Sequence, residues 1–215
     1  MPGVLKLEGT NIATGDGNGA VTINNATLGS AVTVPASVGG TEVLLEKYTA
    51  NDSVTNKIFD LSTFSETFNE YKLVLNKLIP TNDNCDINGR LGTATGSIQT
   101  TNYRMCRWHT YFSGTDQAGN SSLYSTDRFF LHTALGNATG EGLSGEMFIF
   151  SPRNALTNTT TSCQTVGVYY DNSFEYQVCG SLNMNAQDDK AIQIYAESSS
   201  NLKSGTITLY GIRAA

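Results

Sequence analysis

Thr165-Val166-Gly167-Val168-Tyr169-Tyr170-Asp171-Asn172-Ser173-Phe174-Glu175-Tyr176-Gln177-Val178 reads as two strands folded about Asp171-Asn172. Strand side chains alternate between two faces, and Asn and Asp favour the turn. Val166, Val168 and Tyr170 therefore share one face, with Phe174, Tyr176 and Val178 on the same face of the return strand. Antiparallel pairing about residue 171 sets Cys163 opposite Cys179. A second hairpin, turning at Thr95-Gly96, is expected to set Cys85 opposite Cys106 and to align Ile87 and Leu91 with the Trp108 face. Each cysteine pair reads either as a cross-strand disulfide or as neighbouring free thiols, which act as small hydrophobes in a reducing compartment. None of the four has the close paired spacing of zinc ligands.

Working outward, strand signals recur at residues 57–61, 70–79, 85–91, 102–113, 127–132, 146–151, 162–170, 174–182, 190–196 and 205–213. Residues 64–78 also fit a helical stripe. The alternation of Tyr71, Leu73 and Leu75, ended by Pro80, favours a strand from Glu70. Of the 215 residues, 87 are Gly, Asn, Thr or Ser, the residues of turns and of strands. The expected fold is all-β, an antiparallel β-sandwich of jelly-roll type with an extended N-terminal arm. Only one aromatic residue, Tyr48, precedes residue 56, and turn clusters such as Thr14-Gly15-Asp16-Gly17-Asn18-Gly19 separate short aliphatic runs. Residues 1–50 are therefore read as an anchoring arm that gains order by packing on something else, and residues 51–215 as the sandwich domain.

Charged residues are 15% of the chain and the net charge is −6, so a phosphate backbone finds no electrostatic grip and nucleic acid is not expected as a partner. No apolar run is long enough to cross a membrane as a helix, and the first residues lack the pattern of a secretion signal, so a product made soluble in the cytoplasm is expected. Five Asn-x-Ser/Thr sequons, from Asn25 to Asn158, follow from composition. No nucleophile elbow, metalloprotease histidine pair or phosphate loop occurs, and His109 and His132 are the only histidines. Carboxylates such as Glu66/Glu70 or Asp188/Asp189 would be the candidates for glycosidic chemistry, but they read as exposed loop acids. The expectation is a protein that is not an enzyme and has no cofactor. Asn84-Cys85-Asp86-Ile87-Asn88-Gly89 matches the first half of a calcium loop, but Thr95 stands where the bidentate acid belongs, so a turn is expected and no metal.

Residues 102–113 carry the site candidates. Cys106, Trp108 and Phe112 lie on one face, which reads as core; Tyr103, Met105, Arg107, His109 and Tyr111 lie on the other. The second face mixes aromatic, basic and imidazole groups, which suits a protein interface or a glycan site, with a solvated outer surface as the plain alternative. Tyr103, Arg107, His109 and Tyr111 are the interface or ligand candidates. Arg104 and Arg107 are also suited to meet acidic groups of a neighbouring subunit.

Phe68-Asn69-Glu70-Tyr71-Lys72-Leu73-Val74-Leu75, followed by Ile79-Pro80 and by Ile87-Asn88-Gly89-Arg90-Leu91, resembles a group of tailed-bacteriophage virion proteins. So does the ending Lys203-Ser204-Gly205-Thr206-Ile207-Thr208-Leu209-Tyr210-Gly211-Ile212-Arg213, a form of terminal strand that closes many phage surface and fibre proteins. The resemblance covers residues 56–215 and implies a jelly-roll-like domain without catalytic residues. It also implies a homotrimer in the virion with host-surface glycans as a target, and residues 1–50, lacking a core of their own, are expected to join it to other capsid or tail proteins. The role expected is a tail-fibre or head-fibre protein contacting the host; the alternatives are capsid decoration and a carbohydrate-binding module.

Overall fold

A computed structural model describes residues 4–7, 10–15, 21–23, 42–64, 68–112 and 116–213, with backbone alone at 4–23, 111 and 116–125 among these. Near the N-terminus, β1 (Val4–Leu7), β2 (Thr10–Gly15) and β3 (Val21–Ile23) form a small antiparallel sheet in that order. This unit is separate from the one that begins at Thr41.

Among the described residues, the larger unit contains thirteen strands in two sheets. They are β4 (Glu42–Thr49), β5 (Asn56–Asp60), β6 (Glu70–Pro80), β7 (Cys85–Ala94), β8 (Ser97–Ile98), β9 (Tyr103–Phe112), β10 (Asp116–Thr126), β11 (Phe129–Leu135), β12 (Gly142–Phe150), β13 (Asn158–Val168), β14 (Phe174–Ala186), β15 (Ala191–Ala196) and β16 (Leu202–Ile212). The large sheet has the order β10-β9-β14-β13-β12-β6-β16-β4, and the second has β11-β7-β15-β5 with β8 attached to β7. The pairing is nested: β4 with β16, β5 with β15, β6 with β12 and β7 with β11, all antiparallel. One long hairpin rolled across two sheets has this signature, so the sandwich is a jelly roll. Two hairpins are inserted into it. β9–β10 lies between β7 and β11 in sequence, β13–β14 lies between β12 and β15, and both extend the large sheet beyond β12.

The core follows from period-two alternation. Tyr71, Leu73 and Leu75 of β6 and Ile207 and Leu209 of β16 point inward, where they meet Ile87 and Leu91 of β7 and Ile192 and Ile194 of β15. Burial of such side chains contributes roughly 1.5–3 kcal/mol each. The strand from Glu70 is present as expected. Val43, Leu45 and Tyr48 of β4 pack against this core as well, so the sandwich begins at Glu42 and residues 42–50 do not belong to an arm. Aromatic scarcity misplaced that boundary, because β4 is a half-exposed edge strand held by its pairing with β16 and by Val43, Leu45 and Tyr48.

The hairpin about Asp171-Asn172 has the expected register, with Cys163 directly opposite Cys179. The other expected pair does not form. Thr95-Gly96 closes only a short β7–β8 pairing, while β9 crosses to the other sheet; Cys85 faces Leu135 and Cys106 faces Gly180. All four cysteines are free thiols. The calcium-like stretch is not the expected turn: Cys85 to Gly89 belong to β7, and Asp86 accepts a hydrogen bond from the Ala134 backbone amide at 2.8 Å.

The large sheet is irregular along one line. β16, β6 and β12 each shift register near Gly205, Lys77 and Ser144, and the Lys77 amide donates to Ser144 Oγ at 3.0 Å. Gly205 has φ +102°, and a Cβ there would lie 2.2 Å from the Lys77 carbonyl oxygen. Backbone atoms cannot yield as a flexible side chain can. Gly205→Ala is expected to lower stability by about 2 kcal/mol or more in a denaturant titration, with the transition remaining cooperative.

Candidate functional site

The two faces of β9 are reversed relative to the sequence reading. Tyr103 is fully buried: the Leu91 amide donates to its hydroxyl at 2.7 Å, and its ring meets Phe129 edge to face at 5.9 Å. Burial pushes that hydroxyl far up. Met105 is buried beside it and accepts a contact from the Phe130 amide through its sulfur at 3.3 Å. Arg107 donates from Nη1 to Thr133 Oγ1 at 2.9 Å and lies over the Phe130 ring. His109 is paired through Nδ1 with the Glu175 carboxylate. Tyr111 lies outside the described side chains. Tyr103, Arg107 and His109 therefore face β11, not a partner in solution.

The face expected to be core is the exposed one. Trp108 is 47% exposed and Phe112 57% exposed, and Cys106 lies in solvent beside them. Pairing places Trp108 opposite Val178 and Phe112 opposite Phe174 on β14, and Tyr176 opposite Val166 on β13. Phe174, Val178 and Val166 are exposed too, as is Tyr170 just past β13. Trp108 meets Tyr176 edge to face at 6.1 Å, and Gln164 Nε2 donates to the Tyr176 hydroxyl at 2.5 Å. The part of the outer surface of β9, β14 and β13 around Trp108 is thus aromatic and aliphatic, with Ser162, Gln164 and the exposed Arg104 farther along the same face. Next to it, Val74, Ser144, Glu146, Gln164, Val166 and Tyr176 line an open groove of about 410 Å³. Lys72 stands near Glu146, paired with it at 3.6 Å and with Glu42 at 2.8 Å.

Polar groups occupy the inner face of the same strands. Thr159, Thr161, Thr165, Glu175, Gln177, Ser181 and Asn183 are buried. One cluster surrounds Asp189, which accepts from Thr159 Oγ1 (2.6 Å), Gln187 Nε2 (2.7 Å) and Asn183 Nδ2 (3.2 Å). Burial raises the Asp189 carboxyl, while its hydrogen bonds oppose the shift. Asp188 turns the other way, to Arg153 at 2.7 Å and Lys190 at 3.2 Å. The two neighbouring acids therefore do not flank a common cleft, and Glu66 of the other pair lies outside the described residues. A second cluster joins Glu175 to His109 and His132 below the exposed face. Burial first, then the charges of Arg107 and His109, disfavour a charge held by the His132 ring alone. Burial pushes the Cys163 thiol well up and the Cys179 thiol to about 12, so neither is a nucleophile at neutral pH.

The exposed patch was missed because apolar side chains are normally assigned to the core. The signal present in the sequence was the other face of the hairpin, where Thr165, Glu175 and Gln177 alternate with the aromatics. Comparison with known proteins yields no match, neither to a family model, nor to a curated protein, nor to a solved structure.

With Trp108 on the surface, Trp108→Ala is expected to fold with its denaturation midpoint close to that of the parent, a change of about 1 kcal/mol or less. A buried core tryptophan would instead cost about 3–5 kcal/mol.

Proposed function

We propose that this chain is a non-enzymatic structural protein of a tailed-bacteriophage virion. Its jelly roll is exposed on the particle, the residues before Glu42 attach it to capsid or tail proteins, and the outer face of β9, β14 and β13 is its docking surface. The observation that carries this reading is the inverted polarity of the β13–β14 hairpin, with polar side chains inside and Phe174, Val178 and Val166 outside beside Trp108 and Phe112. A contiguous apolar patch on a sheet surface is the usual mark of an interface, and aromatic residues free of charge are typical of interface centres. We assign that interface to further copies of this chain, as a homotrimer. The role is that of a fibre or head-fibre protein touching the host surface, with capsid decoration as the alternative placement.

A second reading, a carbohydrate-binding module, is favoured by one specific feature. Trp108 and Tyr176 present ring surfaces beside a groove whose rim offers Glu146, Gln164 and Ser144 as hydrogen-bonding groups. Sugar rings stack on such surfaces while their hydroxyls need partners of this kind.

Light scattering separates these readings, using the full chain and a chain starting at Thr41. The expected result is a trimer for both, dissociated to monomers by Trp108→Asp with Phe112→Asp, while circular dichroism and melting stay near the parent's. A monomer whose tryptophan fluorescence responds to neutral oligosaccharides, and loses that response in Trp108→Ala, would overturn the trimer reading for the second one.

A further inference from the structure

Going beyond that reading, the buried cluster under the exposed face carries a proton count that its hydrogen bonds define. Thr165 Oγ1 lies 2.8 Å from the Leu131 carbonyl oxygen and 3.1 Å from His132 Nδ1. A carbonyl only accepts, so the Thr165 hydroxyl proton points to Leu131. The Thr165 oxygen is then left to accept, and His132 Nδ1 carries the hydrogen that it accepts. A neutral imidazole with its proton on Nδ1 has a bare Nε2. That atom lies 3.2 Å from Glu175 Oε2, with both side chains fully buried. Neither His132 Nε2 nor Glu175 Oε2 makes a hydrogen bond as the side chains stand. Two buried acceptors at that separation repel one another and forfeit solvation, a cost that a single proton between them removes from both.

We propose that Glu175 and His132 share one extra proton, taken up from solvent on folding and held by the native protein at neutral pH. The surroundings fit this assignment. From β9, Arg107 and His109 face the pair, and the His109 contact is to the other carboxylate oxygen, Oε1. From β11 come His132 itself and Thr133; from β13 and the residue after it, Thr165 and Tyr169; and from β14, Glu175 and Gln177. The Tyr169 hydroxyl is a hydrogen-bond donor to the Glu175 carboxylate, and burial first, with that bond among the lesser causes, pushes it up, so it keeps its own proton. Burial, and after it the charges of Arg107 and His109, disfavours an isolated imidazolium on His132, which leaves the contact with the carboxyl as the place for the proton. The proton belongs to the pair and titrates with it.

The sign of the linkage follows. In the unfolded chain a glutamate releases its proton near 4.3 and a histidine near 6.5, so above about pH 6.5 the unfolded pair holds none. The native pair holds one, hence stability falls as pH rises above that point, and the unfolding constant grows by about tenfold per unit until the native pair itself releases the proton. The pair sits beneath the proposed docking face, since Glu175 is flanked on β14 by Phe174 and Tyr176, which point outward.

The test is chemical denaturation of the full chain from pH 6 to 9, for the parent, Glu175→Gln and His109→Gln. A glutamine amide donates to His132 Nε2 and accepts from His109 without titrating, so Glu175→Gln is expected to fold and to lack the tenfold-per-unit slope. His109→Gln is expected to keep it. Parallel profiles for the parent and Glu175→Gln, or a slope lost in His109→Gln, would overturn the assignment. Nitrogen-15 NMR of the parent's histidine rings gives a reading that needs no variant. At pH 7.5, hydrogens on both ring nitrogens of His132, or one on Nδ1 beside a Glu175 carboxyl that carbon-13 NMR shows to be protonated, support the proposal, and a neutral ring beside an ionised carboxylate defeats it. Neither measurement depends on the virion reading, which oligomer mass decides.

Discussion

The free edge of β11 is the constraint on which the inserted part of the sheet depends. β11 pairs with β7 on one side only, and with shifts in register near His132. On its other side the chain past β13 reaches only its end, where Leu135 bridges Tyr169 and the Ala134 carbonyl accepts from the Tyr170 amide, so among the described residues the backbone groups of Phe130 and Leu131 have no strand beside them there. An unsatisfied buried carbonyl or amide costs on the order of 1–3 kcal/mol. Side chains of the facing sheet supply the partners. The Leu131 carbonyl accepts from Thr165 Oγ1 at 2.8 Å and from Gln177 Nε2 at 3.3 Å, and the Phe130 amide reaches the Met105 sulfur. A β13–β14 hairpin with an aliphatic inner face would leave these groups orphaned.

Once the inner positions are polar, the outer ones follow from the pleat. Successive side chains of a strand alternate faces, so placing Thr165, Glu175 and Gln177 inward sends Val166, Phe174, Tyr176 and Val178 outward. β9 obeys the same rule against β14, with Arg107 and His109 inward and Trp108 outward. The buried clusters and the apolar exterior are two consequences of one register.

Those parts of the fold that rest on local pattern were legible in the sequence. The hairpin symmetric about residue 171 gave the Cys163–Cys179 register directly, and Tyr71, Leu73 and Leu75 before Pro80 marked the central strand β6. Cys85 and Cys106 were misjudged because a turn at Thr95-Gly96 reports only on the chain beside it. That β9 leaves for the other sheet is decided by long-range pairing with β14. The face of Trp108 was unreadable for a related reason. Alternation separates two sets of side chains but does not say which set meets β11, and here the backbone edge, not hydrophobicity, made the choice. The boundary near residue 50 failed because β4 owes its place to pairing with β16, the partner that completes the nested hairpin.

The exterior of β9, β14 and β13 finds no explanation inside the fold. A strand facing water on one side is satisfied by Thr, Gln or Ser there, as Ser162 and Gln164 of β13 show on the same surface. Trp108, Phe112, Phe174 and Val178 lie outside the core cluster, and each leaves apolar surface in water at roughly 25 cal/mol per Å². Inward substitutions on these strands disturb the hydrogen bonds that close β11; outward ones leave them untouched. A surface that is costly in water and free to change without loss of the fold is what recognition requires. The burden of explaining it therefore passes from stability to assembly, which is where the proposed docking face stands or falls.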